Sequence, residues 1–493
     1  MARMLAAGLV LRGEQVHRSH DHRSLTVTDT AAIAPRLPVM LKSIRIRNFK
    51  SISDAELNLA ELTLLIGANS SGKSNVLEAL KLLAWIAGNG RLVSIHSAMK
   101  EHELRIRGTI RSLTRVQDDR NVLSLGCTLD GPPEVGRLRL DVGLRRTEDG
   151  LKIVEEELTA PDLGSNLPLY HVVAPAAEYG NQLTVEYNNF ARGRNKPQIV
   201  CTDQQAVFVQ LVSPARFGAN HSKSQSLVPT ATTAVQKWLT AILFLDPNPV
   251  AMRSYSDRTD RRMQGDGANV SGVLHDLCET RGQKGEVLDF IRALPEQDIQ
   301  DIRFSVTPRD EVMVELVETF GSATNPCDAA LLSDGTLRVL AVAGALLSVD
   351  EGSLVVIEEI DNGVHPSRAS MLLDRIRTVA TRRQLRVLLT THNPALLDAL
   401  PASALPDVTI CFRRPEIGDS SLVRLRDLKR YPSLVAEGPL GGLATRGVLD
   451  RYVKPAGAGG SIDALAWLAP RNRKPHRPEW KRQSTPRSSE PFP

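Results

Sequence analysis

Residues 67–74 have the types and spacing needed to hold a phosphate chain. They read Gly-Ala-Asn-Ser-Ser-Gly-Lys-Ser, which fits the pattern G-x-x-x-x-G-K-S/T. Glycine at 67 and 72 permits backbone angles and a close approach that a Cβ would block. The N–H groups of such a loop, together with the N-terminus of a following helix, face an anion. Lys73 would then contact the β- and γ-phosphates, and the Ser74 hydroxyl would bind Mg²⁺.

Two carboxylates and a histidine follow later apolar runs. Glu358 and Glu359 end the run LVVI, and His392 ends the run VLLTT; such runs are typical of a parallel sheet covered on both faces. Paired acids at the end of a buried strand cost desolvation free energy unless a cation or proton compensates. Glu358 would bind Mg²⁺ directly or through water, Glu359 would act as general base, and His392 would sense the γ-phosphate. A solvated acidic loop and a structural histidine are the alternatives.

A helix is predicted to begin at the sequence Ser333-Asp334-Gly335. Ser333 is a good N-cap, and Gly335 allows a backbone N–H to approach a ligand. An apolar helical pattern follows. Taken alone, this stretch is equally well explained as a capped helix with no ligand.

The elements around residues 67–74 support phosphate binding. Leu62–Ile66 is a short apolar run of strand type, and Val76, Leu77, Leu80 and Leu83 recur at helical spacing after the loop. A strand, a loop and a helix in this order give the context in which the motif predicts a phosphate site. A Gly- and Ser-rich surface loop before a helix is the alternative.

Composition limits the class of protein. The chain has 493 residues, of which 42% are apolar and 4% aromatic; this length allows two or three domains, or one domain with a large insertion. The five cysteines are far apart and form no C-x-x-C pair, so we expect reduced thiols in a cytoplasmic protein. No apolar run reaches the length of a membrane span, and we reject the apolar stretch 4–11 as a signal peptide.

The basic excess is located in the two ends of the chain. Net charge is +5, and the segment from Arg471 onward carries seven Lys or Arg against two Glu. Residues 1–39 carry five Arg against three acids, so the part between is close to neutral. A basic tail is weak support for nucleic-acid binding and is equally explained as a solvated tail.

The quoted motifs together resemble the ATP-binding-cassette (ABC)-type ATPases of the SMC, RecF and OLD group. The resemblance lies in pieces between residues 40 and 400 and is carried by LKSIRIRNFKSI, GANSSGKSN, LLSDGTLRVLA, VVIEEIDNGVHP and TTHNPALLDAL. It implies an α/β P-loop NTPase fold of ABC/RecF type, with a mixed sheet and flanking helices. An antiparallel β lobe and a helical insertion would be added to this core.

The resemblance implies roles for individual residues, with ATP and Mg²⁺ as cofactors. Glu359, His392 and Lys73 would be catalytic, and Ser74 and Glu358 would bind the metal. Ser333 and Gly335 would form the signature motif, which in this group contacts the γ-phosphate bound by a second subunit. Residues 47–50 would lie near the nucleotide. The residues of the phosphate loop that would bind the nucleotide are Gly67, Ala68, Asn69, Ser70, Ser71, Gly72, Lys73, Ser74 and Asn75.

The sequence departs from this group at the second motif. The usual Asp-Glu is Glu358-Glu359, and the Pro-Glu that commonly follows is Ile360-Asp361. Glutamate is longer than aspartate, which affects the expected Mg²⁺ geometry. No residue is assigned to the glutamine of the lid loop.

The sequence pattern predicts the organisation of the chain. Several strand-like segments joined by turn signals, including one at 104–110, predict antiparallel hairpins after the phosphate loop. The stretch AVQKWLTAILFL at 234–245 is interpreted as helix. The expected regions are an extension at 1–39, an ATPase core split between 40–100 and 326–455, a β-rich lobe at 101–200, a mostly helical insertion at 201–325, and a basic Pro-rich tail at 456–493.

The resemblance implies an ATP-hydrolysing protein that forms an ATP-dependent head-to-tail homodimer. Its expected setting is DNA repair or defence against phage, with DNA and an effector protein such as a nuclease or toxin as further partners, and no membrane. One alternative is a non-hydrolysing, ATP-gated scaffold or sensor for an effector. Another is a degenerate OLD-type nuclease, for which residues 434–438 resemble the start of a TOPRIM domain but no D-x-D pair follows.

Overall fold

The computed structural model of the protein describes residues 40–453 apart from short gaps. Those gaps are residues 102, 116–120, 149, 165–166, 178–179, 194, 293–298, 321–322, 363–368 and 415. The predicted extension at 1–39 and the predicted tail at 456–493 therefore lie outside the described residues.

Strands and helices alternate in the manner of an α/β protein. The strands are β1 (Leu41–Phe49), β2 (Ile52–Asn58), β3 (Leu62–Ile66), β4 (Val122–Asp130), β5 (Arg137–Arg146), β6 (Leu151–Thr159), β7 (Tyr170–Ala174), β8 (Gln182–Tyr187), β9 (Gln198–Thr202), β10 (Leu243–Leu245), β11 (Ser256–Asp257), β12 (Ile299–Val306), β13 (Glu311–Phe320), β14 (Ala323–Asp328), β15 (Leu354–Ile357), β16 (Arg386–Thr390), β17 (Thr409–Arg413) and β18 (Ser420–Arg424). The helices are α1 (Lys73–Ala87), α2 (Ile95–Lys100), α3 (Val207–Gln210), α4 (Ser222–Thr240), α5 (Pro249–Met252), α6 (Val270–His275), α7 (Lys284–Ile291), α8 (Asp334–Ser348), α9 (Ala369–Arg382), α10 (Pro394–Asp398), α11 (Tyr431–Ala436), α12 (Leu440–Thr445) and α13 (Val448–Val453).

Parallel strands form the part of the large sheet that carries the motifs. The order in this part is β10-β15-β16-β3-β17, and each of these neighbouring pairs is parallel. Their carboxyl ends therefore meet at one edge of the sheet. This edge receives the phosphate loop after β3, the acid pair after β15 and the histidine after β16. The predicted α/β class with a mixed sheet and flanking helices is confirmed.

Side chains of the central strands are buried on both faces of the sheet. Leu65, Val356 and Leu388 face a core cluster that includes α1 and the antiparallel strands. Ile357 and Leu389 face a second cluster that includes α8 and α9. Burial on both faces explains why these strands read as continuous apolar runs rather than as alternating ones.

Antiparallel strands extend the same sheet into a lobe. The order continues as β18-β2-β1-β4-β5-β6-β7-β8-β9, and from β2 to β9 every neighbouring pair is antiparallel. Stretch 104–110, which the sequence predicts as a strand, has no strand pairing and ends in a 3₁₀ turn at Ile110–Ser112. Its three apolar residues, Leu104, Ile106 and Ile110, are instead buried in the core around α1.

Residues 201–325 contain both helices and strands. Within AVQKWLTAILFL, α4 ends at Thr240 and residues 243–245 form β10, so the helix prediction is wrong for the last part of this stretch. Pairing with β15 decides the outcome, because a strand at this position completes the parallel sheet. Strands β11 to β14 form a separate antiparallel sheet.

Among the residues that the structure describes, none of the helices is both long enough and apolar enough to span a bilayer.

Candidate functional site

The loop after β3 has the backbone of an anion cradle. Gly67 has φ of 153° and Gly72 has φ of 115°, angles that side chains with a Cβ rarely adopt. A Cβ placed on Gly67 would lie 2.2 Å from the carbonyl oxygen of Cys411, and one on Gly72 would lie 2.2 Å from Ser420 Oγ. Gly72 also caps α1, which begins at Lys73. Glycine is therefore required at both positions, because a residue with a Cβ would be strained at these φ angles and would overlap neighbouring atoms.

A chain of hydroxyl and amide hydrogen bonds supports the loop from the lobe side. Asn75 Nδ2 donates to Ser51 Oγ over 2.6 Å, and Ser51 Oγ lies 2.6 Å from Ser420 Oγ. Ser420 Oγ donates to the carbonyl oxygen of Ser71 over 2.5 Å. The turn between β1 and β2, the start of β18 and the start of α1 are thereby linked around the phosphate loop.

Lys73 closes the loop on itself. Its Nζ donates to the carbonyl oxygens of Gly67 (2.6 Å) and Ala68 (3.2 Å). Burial lowers the pKa of Lys73, while the Glu359 carboxylate acts in the opposite direction. An ammonium held at the mouth of the loop is positioned to contact the outer phosphates of a nucleotide.

Glu358, the first acid of the pair, forms an ion pair with a lysine of α1. Lys81 Nζ lies 2.6 Å from Glu358 Oε1, and both side chains are largely buried. The backbone N–H of Glu358 donates to the carbonyl oxygen of Leu245 at the end of β10. Asp246, the next residue, is therefore brought to the same edge. Partial burial and then the Glu358 carboxylate raise the pKa of Asp246, while Lys81 lowers it.

Glu359, the second acid, has a left-handed backbone conformation with φ of 48°. Such a conformation costs a residue with a Cβ roughly 1–2 kcal/mol. It is held by two hydrogen bonds: the Glu359 N–H donates to Thr390 Oγ1 over 3.0 Å, and Asn362 Nδ2 donates to Glu359 Oε2 over 2.6 Å. Strain of this kind is concentrated at functional sites, and here it turns an exposed carboxylate away from the strand direction.

His392 follows β16 and lies next to a buried acid. Its Nδ1 is 3.8 Å from Asp361 Oδ2. Thr391 Oγ1 accepts from the N–H of Asn393, and the Asn393 side chain caps α10. The histidine is therefore fixed at a tight strand-to-helix turn with its ring partly exposed.

One pocket of about 430 Å³ brings most of the predicted residues together. Its volume lies in the range of small-molecule sites. The residues that line it are Asn69, Ser70, Ser71, Gly72, Lys73, Ser74, Asn75, Leu77, Arg107, Glu358, Glu359, Thr390, Thr391, His392 and Arg413. The first two glycine-loop residues, Gly67 and Ala68, line an adjoining pocket of about 540 Å³ that shares Asn69 and His392.

The predicted signature residues do not line this pocket. Ser333 caps α8, where its Oγ accepts from the N–H of Thr336 over 3.1 Å. Arg253 holds this end of the helix, because its Nη2 lies 2.7 Å from Asp334 Oδ1 and 3.0 Å from the carbonyl oxygen of Leu332. Ser333 is exposed and Gly335 is half-buried. The start of α8 is therefore held in place and exposed. It does not line the pocket that the phosphate loop of the same chain forms.

The residues present fit a nucleoside triphosphate with Mg²⁺. The Oγ of Ser71, in the phosphate loop, is buried and has no hydrogen-bond partner in the described part of the chain. Ser74 and Glu358 could offer one hydroxyl and one carboxylate oxygen to the metal. Within the described ranges, no group of three or more His, Cys, Asp or Glu side chains is arranged to hold a metal. Mg²⁺ in nucleotide sites is bound by few protein ligands together with phosphate oxygens and water.

Four charged residues at this edge were not identified from the sequence. Arg107 lines the pocket and is held by Glu78, whose Oε1 lies 2.8 Å from the Arg107 Nε. Arg413 donates from Nε to the carbonyl oxygen of Ser70 over 3.1 Å. Lys81 and Asp246 are the other two. The position of Lys81 on the helix after the loop was a signal available in the sequence, since it lies two turns beyond Ser74.

Comparison with known proteins identifies the family. The family model described as "AAA domain, putative AbiEii toxin, Type IV TA system" matches residues 62–398, which is more than half of the chain. This range begins at β3 and ends at α10, so it contains the phosphate loop, Ser333, the acid pair and His392.

Curated relatives agree with this assignment. A protein named ATP/GTP phosphatase from Helicobacter pylori is 22% identical over 375 residues, covering 73% of this chain and 87% of that protein. Chromosome partition protein Smc of Desulfitobacterium hafniense is 37% identical over 82 residues, and DNA replication and repair protein RecF of Gloeobacter violaceus is 38% identical over 71 residues. These two matches span only 7% and 17% of those relatives, and 16% and 14% of this chain.

Similar solved structures include SMC head domains. The head of Smc bound to the C-winged helix domain of ScpA has a TM-score of 0.42 at 11% identity, covering 78% of this chain and 97% of that one. The SMC head domain from Thermotoga maritima has a TM-score of 0.39 at 12% identity, covering 78% and 98%. From the family match over more than half of its length, the chain belongs to the AAA-domain family described above, and parts of it are similar in sequence to the Smc and RecF proteins.

Proposed function

We propose that this protein hydrolyses ATP in sites completed by a second copy of the chain. The proposal rests on where the motifs lie within one chain. One pocket is lined by the phosphate loop, the acid pair and His392. Ser333 and Gly335 lie at the exposed start of α8 and do not line that pocket. A head-to-tail pair would bring each α8 N-terminus to the other copy's phosphate loop, where its N–H groups favour an anion.

Each residue has a definite task in this proposal. The Lys73 ammonium gives up its hydrogen bonds to the two loop carbonyls and binds the outer phosphates instead. The loop N–H groups bind the β-phosphate. Glu359 accepts a proton from the attacking water, since its carboxylate is exposed and its backbone is fixed. His392 orients toward the γ-phosphate. Arg107 lines the same pocket and would offset the charge of the triphosphate.

Ser74 and Glu358 would hold Mg²⁺ in this site. The metal, when bound, neutralises phosphate charge and orients the chain of phosphates for in-line attack. Glu358 must turn its carboxylate from Lys81 toward the metal to do so. The longer side chain of glutamate gives it the reach to serve both positions.

DNA is the macromolecular partner that we propose for this ATP switch, in repair or in defence against phage. Support comes from two relatives, of which one is a chromosome partition protein and the other a DNA replication and repair protein. The residues between the basic ends are close to neutral, so DNA binding would depend on local patches rather than on overall charge. A DNA complex should weaken steeply between 50 and 200 mM salt, as phosphate contacts require.

Phosphate release by the unaltered protein and by Glu359→Gln tests the catalytic proposal. We expect turnover in the unaltered protein and a loss of about a hundredfold or more in the variant, because the general base is removed while the pocket keeps its shape. Equal rates in the two proteins would contradict it. An absence of turnover in both, with ATP still bound, would favour a non-hydrolysing ATP-gated scaffold, which the Glu-Glu pair and the Lys81 contact also suggest.

A further inference from the structure

The ammonium of Lys81 lies against the Glu358 carboxylate at the edge of the sheet. Lys81 is on α1, two turns beyond the phosphate loop, and its Nζ contacts Glu358 Oε1 over 2.6 Å. It lies 5.6 Å from the centre of the Phe244 ring on β10. Because Lys81 and Glu358 are 17% and 24% exposed, the pair is partly shielded from water. A contact this short and shielded holds both side chains in one arrangement.

Asp246 is the carboxylate that would accept the same ammonium when it leaves Glu358. It follows Phe244 by two residues, at the carboxyl end of β10, and the charges of Glu358, Lys81 and Glu359 all act on it. Arg105 also acts on Asp246, but Arg105 is directed to Asp266, whose Oδ2 lies 3.9 Å from its Nη2. Lys81 thus contacts Glu358 at the end of β15 and acts electrostatically on Asp246 at the end of β10.

We propose that Lys81 is a positioning residue that neutralises Glu358 until a divalent cation is bound, and that Lys81 then passes to Asp246. The inference depends on the proposed function, in which Glu358 binds Mg²⁺. The extra methylene of glutamate lets the carboxylate reach α1, and Asp246 accepts the ammonium when the carboxylate turns away. Asp246 therefore acts on the metal site through Lys81 rather than as a metal ligand.

Competition for one carboxylate has a measurable consequence. Lys81 and the cation would both bind Glu358, and Lys81 places a positive charge beside the carboxylate that would bind the metal. Removing that charge should raise the affinity for a divalent cation by roughly tenfold. Removing Asp246 should lower the affinity by about threefold, because Lys81 then stays on Glu358. With Lys81 already removed, loss of Asp246 should have less than about twofold effect.

Mn²⁺ binding to the full chain, saturated with a non-hydrolysable ATP analogue, tests this without relying on turnover. The free Mn²⁺ signal in electron paramagnetic resonance gives the dissociation constant for the unaltered protein, Lys81→Met, Asp246→Asn and the double variant. Lys81→Arg is the matched control, since it keeps the charge and the contact and should bind Mn²⁺ as the unaltered protein does. A fluorescent ATP analogue in EDTA measures nucleotide binding separately.

The outcomes separate this inference from the proposed function. Tighter Mn²⁺ binding by Lys81→Met, with the Asp246 effect lost in the double variant, supports it. Unchanged or weaker Mn²⁺ binding by Lys81→Met overturns it, as does an Asp246→Asn effect of equal size in both backgrounds, which would make Asp246 a direct ligand. If the unaltered protein binds no nucleotide at all, the proposed function itself fails.

Discussion

Asp361 Oδ2 lies 3.8 Å from Nδ1 of His392, so the loop after β15 contacts the end of β16. Asp361 is 6% exposed while His392 is 54% exposed. The other carboxylate oxygen, Oδ1, is buried without a hydrogen-bond partner in the described part of the chain. This separation is longer than a hydrogen bond, but a carboxylate near one ring nitrogen favours the ring orientation in which an N–H faces it. Asp361 therefore directs the ring of His392 toward the pocket.

Replacing Asp361 by asparagine should lower ATP turnover by about tenfold, because the ring loses the charge that orients it. Nucleotide binding should stay within about twofold, since the phosphate loop is untouched. Steady-state turnover and binding of a fluorescent ATP analogue measure the two effects. His392→Ala is the reference for complete loss of the ring, and turnover of Asp361→Asn equal to that of the unaltered protein would exclude the orienting role.

Gly72→Ala should remove nucleotide binding and lower the free energy of unfolding by roughly 2 kcal/mol or more. The new Cβ would lie 2.2 Å from Ser420 Oγ, at a φ of 115°, so the loop or Ser420 must move. Thermal unfolding and nucleotide binding give the two results. Gly442→Ala is the matched control, because a Cβ there meets nothing within 4 Å and the residue lies inside α12. That substitution should be neutral or stabilising by up to about 1 kcal/mol.

A buried carboxylate ties together the antiparallel lobe. Glu156, on β6, accepts hydrogen bonds from Tyr170 Oη and from the N–H groups of Val207 and Phe208, each over 2.7 Å. Burial raises the pKa of Glu156 to about 7, although these hydrogen bonds act in the opposite direction. The start of α3 is therefore fixed to the sheet by a single side chain.

Stability of the lobe should decrease as pH rises toward 7. Below pH 4.5, the usual pKa of the group, Glu156 is protonated in both the folded and the unfolded chain. Between that value and about 7, the folded state binds more protons than the unfolded state, so the free energy of unfolding falls by roughly 3 kcal/mol in total. Melting temperatures of the unaltered protein and of Glu156→Gln, compared from pH 5 to 8, measure this. A constant difference between the two proteins across that range would contradict the prediction.

The phosphate site could be predicted because its determinants are local. Strand β3, the loop and α1 occupy consecutive residues, and the two glycines at positive φ are part of the motif itself. The acid pair and His392 were also identifiable, since each follows a continuous apolar run. Such runs are a property of strands buried on both faces, and they place the residues that follow them at one edge of a parallel sheet.

Contacts between distant segments were beyond the reach of sequence patterns. Lys81 and Glu358 are 277 positions apart, and nothing in either neighbourhood indicates the other. Asp246 was missed because β10 has three residues and follows a helical pattern without a break. Its strand conformation depends on pairing with β15, which is a tertiary effect that overrides local preference.

Mixing two inactive variants tests the composite site most directly. Lys73→Ala removes the phosphate-loop cation, and Ser333→Arg blocks the start of α8, so each variant alone should have little ATP turnover. In a head-to-tail pair of one copy of each, one of the two sites has both an intact loop and an intact α8. Random pairing should therefore restore roughly a quarter of the turnover of the unaltered protein. A mixture as inactive as its components, or full turnover by Ser333→Arg alone, would contradict the account.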